Sequence, residues 1–328
     1  MTAPVRECVD GAPIDILLRP EDLRAALLTD AREGLGSTPK TLPPKYFYDA
    51  EGSRLFEQIT RQPKYYPTRT EHAILSEYAE EIAQAAGAEV LLELGSGSSE
   101  KTRLLLDAMG ERLDGYVPVD VSPDALREAI LRLRVDYPDL HVHGAVADFD
   151  HHLGDLPAPG KRMVALLGST LGNYRPHERA RFLGAIASAM HPGESLLLGL
   201  DLVKDPSRLV AAYDDAAGVT AAFNRNVLRV LNRELGADFA PDAFEHVARW
   251  DSGGEWMEMR LRATRPMKVR LPAIELDVDF ADGEELRTET SAKFRREPIT
   301  EELSQHGLSV VKWWSDPAGD YAMLLAVK

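Results

Sequence analysis

A glycine turn, Gly95-Ser96-Gly97, is the most informative chemical feature of this 328-residue sequence. An apolar run ends at the turn and a leucine-rich helical pattern begins soon after it, which predicts a strand, a tight turn and a helix. Glycines let a ligand approach the backbone, and the first N–H groups of a helix point into the same space. The turn is therefore a candidate binding platform, although a plain structural turn has the same pattern.

Acidic residues at the ends of the next two predicted strands indicate which ligand the turn would bind. Asp120 closes the second strand, and its carboxylate can accept hydrogen bonds from both hydroxyls of a ribose. Asp148 and Phe149 follow the third strand and place an acceptor and an aromatic ring where a purine would lie. Glu100 occupies the place of the third glycine of a dinucleotide motif, which disfavours a pyrophosphate. The pattern favours S-adenosylmethionine, a ligand with an adenosine, an amino-acid end and no phosphates.

Strands and helices alternate through the middle of the chain. The predicted strands are 89–95, 115–120, 140–147, 162–168 and 194–202, with helices at 70–86, 99–109, 123–136 and 176–190. Such alternation implies parallel strands with helices on both faces of the sheet. A helix at 300–307 follows, and strands 308–314 and 321–327 share a short turn, which makes them antiparallel. We therefore predict an α/β fold with a seven-stranded, Rossmann-like sheet ending in an antiparallel hairpin, the class I methyltransferase plan.

Two other segments do not follow this alternation. Residues 14–34 predict one amphipathic helix broken by Pro20. Residues 204–235 predict two helical stretches separated near Gly218, and residues 244–291 alternate with period two, as antiparallel strands do. We therefore predict two domains: a cofactor-binding domain of residues 69–203 and 293–328, and an α+β substrate-binding domain of residues 20–68 and 204–292.

Composition argues against several classes of partner. The formal net charge is −15, whereas binding to phosphate backbones needs clustered Lys and Arg. The densest basic cluster, Lys293-Phe-Arg-Arg296, is interpreted as a solvated edge. No segment approaches the roughly 18 apolar residues of a membrane-spanning helix, the N-terminus lacks a secretion signal, and a single cysteine agrees with the cytosol. We expect a cytoplasmic protein with a small-molecule substrate, no nucleic acid and no membrane.

Metal and hydrolase chemistry have little support. His141 and His143 share one face of a strand, and His151 and His152 lie in a predicted loop, but no recognised ligand spacing is present. A Gly-x-Ser-x-Gly elbow after a strand, which would favour a Ser-His-Asp hydrolase, is also absent from the sequence. We therefore predict that the protein uses no metal.

Several long blocks of the sequence resemble one enzyme family, the histidine Nα-methyltransferases of ergothioneine biosynthesis. Two of them are Leu42-Pro-Pro-Lys-Tyr-Phe-Tyr-Asp49 and Leu167-Gly-Ser-Thr-Leu-Gly-Asn173. The others are residues 65–71, 93–103, 201–205, 213–226, 287–291 and 313–317. The resemblance extends from about residue 35 to the C-terminus, and the first 30 residues take no part in it.

The resemblance implies a monomeric enzyme that transfers three methyl groups from S-adenosylmethionine to the α-amine of L-histidine, giving hercynine in the first step of ergothioneine biosynthesis. It implies cofactor contacts from Gly95, Lys101, Asp120, Asp148 and Phe149. It implies histidine contacts from Tyr65, Asn173, Tyr213, Met259, Glu289 and Ser291, with Tyr48 and Asn173 as the catalytic residues at the amine.

These residue types suit methyl transfer to histidine. The Glu289 carboxylate would accept an imidazole N–H and the Ser291 hydroxyl would serve the other nitrogen, whereas phenylalanine would leave both unsatisfied. A tyrosine hydroxyl and an asparagine oxygen can orient an unprotonated amine, whose proton would leave through water because no strong base is evident. The ring of Tyr48 or Tyr65 would stabilise the quaternary ammonium of the product. Without the resemblance, an ordinary exposed strand residue would be the favoured interpretation of Glu289.

Three other functions remain open from the sequence. The same scaffold could methylate another aromatic amino acid such as tryptophan, for which an apolar residue at position 289 would be expected. A nicotinamide-dependent dehydrogenase would share the glycine turn but not the terminal hairpin. A non-catalytic binding module would keep the fold and lose the substrate residues.

Overall fold

The computed structural model describes residues 5–157 and 159–328, which form sixteen strands and ten α-helices. The strands are β1 (Val5–Val9), β2 (Ala12–Ile16), β3 (Lys40–Thr41), β4 (Val90–Leu94), β5 (Gly115–Asp120), β6 (His141–Val142), β7 (Gly144–Val146), β8 (Arg162–Leu166), β9 (Ser195–Asp201), β10 (Phe244–Asp251), β11 (Trp256–Ala263), β12 (Met267–Leu271), β13 (Leu276–Phe280), β14 (Glu285–Ala292), β15 (Ser309–Ser315) and β16 (Tyr321–Val327). The α-helices are α1 (Pro20–Gly36), α2 (Ala50–Thr60), α3 (Pro67–Ala86), α4 (Thr102–Met109), α5 (Pro123–Asp136), α6 (Phe149–His152), α7 (Pro176–Ala189), α8 (Pro206–Tyr213), α9 (Val219–Leu235) and α10 (Arg296–Gln305). Short 3₁₀ helices lie at Pro44–Phe47, Gly110–Arg112, Leu153–Asp155, Thr170–Asn173, Pro241–Ala243 and Pro272–Ile274. The first four residues, on which the expectation of no secretion signal partly rests, lie outside the described residues.

The chain forms two compact units. The first unit comprises Met1–Leu18, Pro67–Val203 and Phe294–Lys328, and the second comprises Arg19–Tyr66 and Lys204–Lys293. Lys293, which the sequence prediction assigned to the cofactor-binding domain, belongs to the second unit.

A ten-stranded sheet is the framework of the first unit. Its strands lie in the order β1-β2-β7-β5-β4-β8-β9-β16-β15, with β6 paired to β5. Neighbouring strands from β2 to β9 are parallel, whereas β16 is antiparallel to β9 and to β15. The central strands β4, β8 and β9 are buried along their whole length, as strands covered on both faces must be. The fold is therefore mixed α/β, and the carboxyl ends of the parallel strands lie at one edge of the sheet.

The number of strands differs from the predicted seven. The predicted third strand, 140–147, is divided into β6 and β7. Pro118 of β5 lies opposite the break, and proline has no N–H with which to continue the hydrogen bonding between the strands. β1 and β2 also add a hairpin at the edge of the sheet beside β7.

The hairpin also corrects the helix predicted at 14–34. Residues 14–16 belong to β2, and α1 begins only at Pro20, in the first turn of a helix where proline is tolerated. Asp15 is a buried polar residue between two isoleucines, and its carboxylate accepts a 2.7 Å hydrogen bond from Arg6 and lies 2.9 Å from His143 Nε2. The prediction was wrong because the apolar spacing of residues 14–18 fits the period of a strand as well as that of a helix.

The second unit is built on a four-stranded sheet in the order β10-β11-β14-β3. Asp251 accepts hydrogen bonds from the N–H groups of Gly253 and Gly254, which confirms the hairpin turn predicted between β10 and β11. Gly218, in the left-handed region at φ 73°, precedes α9 and confirms the predicted break between two helices. Side chains from α1, α2, α8 and α9 pack with the strands in one apolar core.

The helices of both units carry polar residues along their length. The longest of them, α3, has 20 residues and includes Glu71. Over residues 5–157 and 159–328, no helix combines the length and the apolar character needed to cross a membrane.

A buried ion pair connects β8 to the residue before β9. Arg162 and Glu194 are 3% and 2% exposed, and two guanidinium nitrogens donate to the carboxylate at 2.7 Å. Burial by itself would raise the pKa of Glu194, but hydrogen bonds from Arg162 and the His191 N–H outweigh it and hold this pKa below its ordinary value. The pair therefore stabilises the fold at neutral pH, and its contribution is lost as the pH falls through the lowered pKa.

The substitution Glu194→Gln leaves the Arg162 charge buried without its partner. We expect it to lower the free energy of unfolding by about 3–5 kcal/mol at neutral pH, measured by urea denaturation. The matched control is Glu81→Gln, which removes an ion pair with Lys312 whose side chains are 46% and 47% exposed. We expect a loss of less than about 1 kcal/mol there, and equal losses in the two variants would contradict the prediction.

Candidate active site

The glycine turn lies between β4 and α4, at the carboxyl end of β4. Gly95 and Gly97 have φ values of 74° and 51°, which glycine adopts without strain. The N–H groups of Gly95 and Ser96 donate to the Val119 carbonyl of β5, and a Cβ atom at position 95 would lie 3.8 Å from the Phe149 ring. The structure thus brings the turn, the end of β5 and Phe149 together.

Asp120 fixes the turn through its side chain. One carboxylate oxygen accepts the Gly97 N–H at 2.9 Å, and the other accepts the Ser122 N–H at 2.9 Å. Burial raises the pKa of Asp120, although hydrogen bonds from these two backbone groups oppose the rise. A carboxylate has about four acceptor sites, so each oxygen can still accept a hydroxyl of a ligand.

Glu93 is a buried carboxylate that the sequence analysis did not single out. Its Oε2 accepts hydrogen bonds from Tyr116 at 2.5 Å and from Thr102 at 2.7 Å, and the Tyr116 hydroxyl lies 2.9 Å from Ser99. Burial raises the pKa of Glu93 to about 7, against these two hydrogen bonds. Because Thr102 is the first residue of α4, Glu93 joins both sides of the turn. An acidic residue inside the apolar run of β4 was the available signal.

Lys101 is held by a second buried carboxylate that sequence reasoning missed. It forms an ion pair with Glu71, whose side chain is fully buried. Glu71 also accepts 2.7 Å hydrogen bonds from the Gly168 N–H and from the Tyr321 hydroxyl. Lys101 therefore has a fixed position beside the loop that follows β8. Glu71 ends one of the blocks that carry the family resemblance, which was the only signal for it.

Gly199 of β9 makes room for the Glu71 carboxylate. A Cβ atom at position 199 would lie 2.1 Å from Glu71 Oε1 and 2.6 Å from the Tyr321 hydroxyl. We expect Gly199→Ala to displace Glu71 and to lower the free energy of unfolding by about 1–3 kcal/mol in denaturation experiments. Gly154→Ala is the control, since no atom lies within 4 Å of its Cβ position. An equally small loss of unfolding free energy in both variants would show that the Glu71 carboxylate does not need the space that Gly199 leaves.

The remaining predicted residues of the first unit follow β7 and β8. Asp148 is buried and caps α6 by accepting the Asp150 N–H at 3.0 Å, and the Phe149 ring lies 5.7 Å from that of Phe182. Asn173 ends the 3₁₀ helix that follows β8 and is partly exposed. Asn173 is the predicted substrate residue that belongs to the first unit rather than the second.

Most of the predicted substrate residues meet on β14 and its neighbours. Glu289 and Ser291 are two positions apart in β14, so their side chains share one face. Met259 of β11 is buried directly opposite Glu289. The Tyr213 hydroxyl, at the end of α8, donates to Ser291 Oγ at 2.8 Å. The structure thus brings together an acceptor, two hydroxyls and an apolar wall.

Lys293 belongs to the same cluster, and its interpretation as part of a solvated edge was wrong. The residue is 5% exposed, and its ammonium group donates to the Tyr213 hydroxyl and to Ser291 Oγ, both at 2.9 Å. The ammonium nitrogen also lies 4.8 Å from the centre of the Tyr213 ring. A run of charged residues is usually solvated. The alternating pattern of residues 289 and 291 continues to residue 293, however, and this continuation was the signal that could have identified Lys293 as buried.

Glu289 is partly buried, and this burial changes its acidity. Burial raises the pKa of Glu289 to about 7, and the positive charge of Lys293 opposes this rise. Near neutral pH, this carboxyl group therefore changes between a pure acceptor and a group that can also donate.

A hydrogen-bonded chain of side chains holds the backbone of Tyr213. Because a carbonyl can only accept, His246 Nε2 carries the proton that is donated to the Tyr213 carbonyl at 2.8 Å. His246 Nδ1 then accepts from Asn224, whose side-chain oxygen accepts from Thr288 at 2.6 Å. Burial lowers the pKa of His246, which favours the neutral ring that this arrangement needs.

Tyr48 and Tyr65 lie in one aromatic cluster of the second unit. The Tyr48 ring lies 5.7 Å from Phe56 and 5.6 Å from Phe223, and the Tyr65 ring lies 6.3 Å from Phe56. Both tyrosines are only partly buried and pack against the same core as Tyr213 and Met259. Phe56 and Phe223, which the sequence analysis did not select, therefore connect the two tyrosines.

In the described parts of the chain, no group of three or more His, Cys, Asp or Glu side chains is arranged to hold a metal ion.

Comparison with known proteins identifies the family. The model of the histidine-specific, S-adenosylmethionine-dependent methyltransferases matches residues 27–328. The chain is 57% identical to the histidine N-alpha-methyltransferase of Mycolicibacterium smegmatis over 305 residues, 92% of this chain and 95% of the relative. It is 53% identical to the enzyme of the same name from Mycobacterium tuberculosis, with the same coverage. It is also 33% identical to the 4-dimethylallyltryptophan N-methyltransferase of Claviceps purpurea over 67% of this chain and 71% of the relative. The chain therefore belongs to the family of histidine-specific, S-adenosylmethionine-dependent methyltransferases.

Proposed function

We propose that this enzyme transfers three methyl groups from S-adenosylmethionine to the α-amine of L-histidine and produces hercynine, the first step of ergothioneine biosynthesis. Membership of the histidine-specific family supports the reaction, as do two relatives named histidine N-alpha-methyltransferase at 57% and 53% identity. The observation that carries the proposal is the placement of Glu289 and Ser291 on one face of β14, with Tyr213 bonded to Ser291. A neutral imidazole needs one acceptor and one donor, and these side chains supply both.

We propose that the first unit holds the methyl donor through Gly95, Lys101, Asp120, Asp148 and Phe149. The fit is good because Gly95 and Gly97 have no side chains that would obstruct a ligand, Asp120 retains acceptor capacity, and Phe149 offers an aromatic ring beside Gly95. When bound, S-adenosylmethionine supplies a methyl group that its sulfonium makes electrophilic. The protein contributes by holding the amine in line with that methyl group, since alignment supplies much of the acceleration in such displacements.

We propose that the second unit binds histidine through Tyr65, Tyr213, Met259, Glu289 and Ser291, and that Tyr48 and Asn173 orient its α-amine. Before each transfer, one proton would leave the nitrogen to water and free its lone pair. The lone pair would then form the new N–C bond as the bond from the sulfonium sulfur to that methyl group breaks, leaving S-adenosylhomocysteine. The fixed positive charge of the final product favours the faces of Tyr48 and Tyr65, and Phe56 and Phe223 hold these rings in place.

Four further expectations belong to the same proposal. The seven strands predicted from the sequence form the methyltransferase core of the larger sheet, and the first and second units correspond to cofactor-binding and substrate-binding domains. The enzyme acts as a cytoplasmic monomer. Its reaction needs no metal, because the sulfonium itself activates the methyl group.

A direct assay tests the proposed function. The purified chain is incubated with S-adenosylmethionine and each proteinogenic amino acid in turn, and the products are weighed by mass spectrometry. We expect histidine to gain three methyl groups and the other amino acids to remain unchanged. Turnover of another amino acid without turnover of histidine would overturn the proposal.

The second candidate is methylation of another aromatic amino acid such as tryptophan. One relative, of 33% identity, is named for a tryptophan derivative. The Glu289 carboxylate separates the two candidates, because an indole has a single N–H and would not use both Glu289 and Ser291. The same assay distinguishes them, since tryptophan would be the amino acid that gains mass.

A further inference from the structure

We propose that Lys293 is a positioning residue for imidazole recognition, because its ammonium group orients the Tyr213 and Ser291 hydroxyls so that Ser291 acts only as a donor towards the substrate. The inference rests on the proposed function and deepens it. It concerns a residue outside the set of predicted substrate contacts, and it follows from counting donors and acceptors in the cluster on β14.

Lys293 determines how the two hydroxyls of the cluster use their hydrogens. An ammonium group can only donate, so both hydroxyl oxygens accept from it at 2.9 Å. The Tyr213 hydroxyl therefore uses its own hydrogen elsewhere, and Ser291 Oγ accepts it at 2.8 Å. Ser291 Oγ now receives two hydrogen bonds, which use both of its lone pairs. The Ser291 hydrogen is the remaining polar capacity of that side chain.

This polarity determines which imidazole the site accepts. Ser291 as a donor requires a ring nitrogen without a proton, and Glu289 as an acceptor requires a ring nitrogen with one. A neutral imidazole meets both requirements in one orientation, whereas an imidazolium ion presents a second N–H to Ser291, whose lone pairs are occupied. Lys293 thus makes Glu289 and Ser291 together selective for a neutral histidine side chain in a single orientation.

Lys293 places a positive charge in a buried position beside these hydroxyls. Burying an ammonium group loses hydration, and an apolar side chain of similar length would avoid that loss. Glu289 and Ser291 share one face of β14, and Lys293, the residue directly after the strand, continues the same alternation. Arg260 of β11 and Arg287 of β14 form ion pairs with Glu258, and Arg262 of β11 forms one with Glu285. Lys293 is the cation that donates to both hydroxyls of the cluster.

The test compares Lys293→Met with a matched control. Lys40→Met removes another mostly buried lysine of the same four-stranded sheet, one that pairs with Glu284 on the surface of the unit. Isothermal titration measures histidine affinity in the presence of S-adenosylhomocysteine, and steady-state kinetics give KM and kcat. We expect Lys293→Met to weaken histidine affinity about tenfold or more, with the effect mainly in KM. We expect affinity for S-adenosylhomocysteine to change less than twofold, and Lys40→Met to leave both affinities at the wild-type level.

Two further readouts separate positioning from general stability. The acid limb of kcat/KM for histidine should move to higher pH in Lys293→Met, because the charge that favours ionised Glu289 is gone. In a double-mutant cycle, the loss caused by Lys293→Met should shrink when Ser291 is already alanine, since Lys293 acts through that hydroxyl. If Lys293→Met does not fold, Lys293→Gln is measured in the same way.

Each outcome is decisive. Wild-type turnover of histidine with unchanged KM and pH profile in a folded Lys293 variant would overturn the inference while leaving the proposed function intact. Equal losses with and without the Ser291 hydroxyl would also overturn it. Failure of the wild-type enzyme to methylate histidine would instead refute the proposed function on which the inference rests.

Discussion

Replacing Glu289 by leucine should lower kcat/KM for histidine about 100-fold or more, because an imidazole N–H would lose a charged acceptor and remain unsatisfied against an apolar wall. Met259 already lies opposite Glu289, so the substitution would extend an apolar surface. We therefore expect the preference for histidine over phenylalanine and tryptophan to shrink, as measured by competition in the mass-spectrometric assay.

A more conservative variant, Glu289→Gln, tests the charge rather than the shape. The pKa of Glu289 is raised to about 7, so below pH 7 the wild-type side chain is mostly neutral and resembles glutamine. Above pH 7 it is ionised and accepts a stronger hydrogen bond. The ratio of wild-type to variant kcat/KM should therefore be flat in acid and rise as the pH passes through 7. Titration of histidine itself affects both enzymes alike and cancels in the ratio.

Glu245→Leu provides the control for both variants. Glu245 is in β10 of the same sheet, is mostly exposed and lies 3.7 Å from Arg262 in a surface ion pair. We expect its removal to leave histidine turnover unchanged. A pH-independent ratio for Glu289→Gln, or a loss in Glu245→Leu as large as that in Glu289→Leu, would contradict the assigned role of Glu289.

The second large effect is expected from Asp120→Ala. This change removes the proposed ribose acceptor and also the acceptor that fixes the Gly97 and Ser122 N–H groups. Hydrogen bonds to a charged group contribute about 1.5–3 kcal/mol each, so we expect affinity for S-adenosylhomocysteine to fall about 100-fold or more. Calorimetric titration measures this affinity directly and does not depend on catalysis.

The control for Asp120 lies just before the same strand. Asp114 is an exposed carboxylate that immediately precedes β5, and Asp114→Ala should leave the affinity for S-adenosylhomocysteine unchanged. Asp120→Asn keeps one acceptor oxygen and should bind with intermediate affinity. Wild-type affinity in Asp120→Ala would contradict a role for Asp120 in cofactor binding.

Local periodicity predicted the parts of the fold in which a single pattern dominates. The apolar runs of β4, β8 and β9 and the antiparallel pair β15–β16 were recognisable because buried parallel strands and short turns have few alternative interpretations. The hairpin β1–β2 was not, because its place in the sheet depends on the pairing of β2 with residues 144–146 of β7, which are far away in sequence.

Sequence-based prediction of the candidate site was limited in the same way, to residues whose positions follow from nearby sequence. Asp120 and the glycine turn were predicted because their positions at strand ends follow from the chain itself. Glu71 and Lys293 were missed, because a buried charge is recognisable only from its partners. The Tyr321 hydroxyl that binds Glu71 is 250 residues away in sequence, and Tyr213 is 80 residues from Lys293. Such pairings are a property of tertiary structure, and no local window contains them.

The division of the second unit between two stretches of chain has a consequence for biosynthesis. Arg19–Tyr66 leaves the ribosome well before Lys204–Lys293, but its strand β3 pairs with β14, and its core residues Phe47 and Leu55 pack with side chains of α9. All of Pro67–Val203 must be translated before those partners exist, which takes on the order of ten seconds at typical elongation rates. During that interval the nascent segment exposes apolar side chains, which makes it prone to aggregation until its partners have been synthesised.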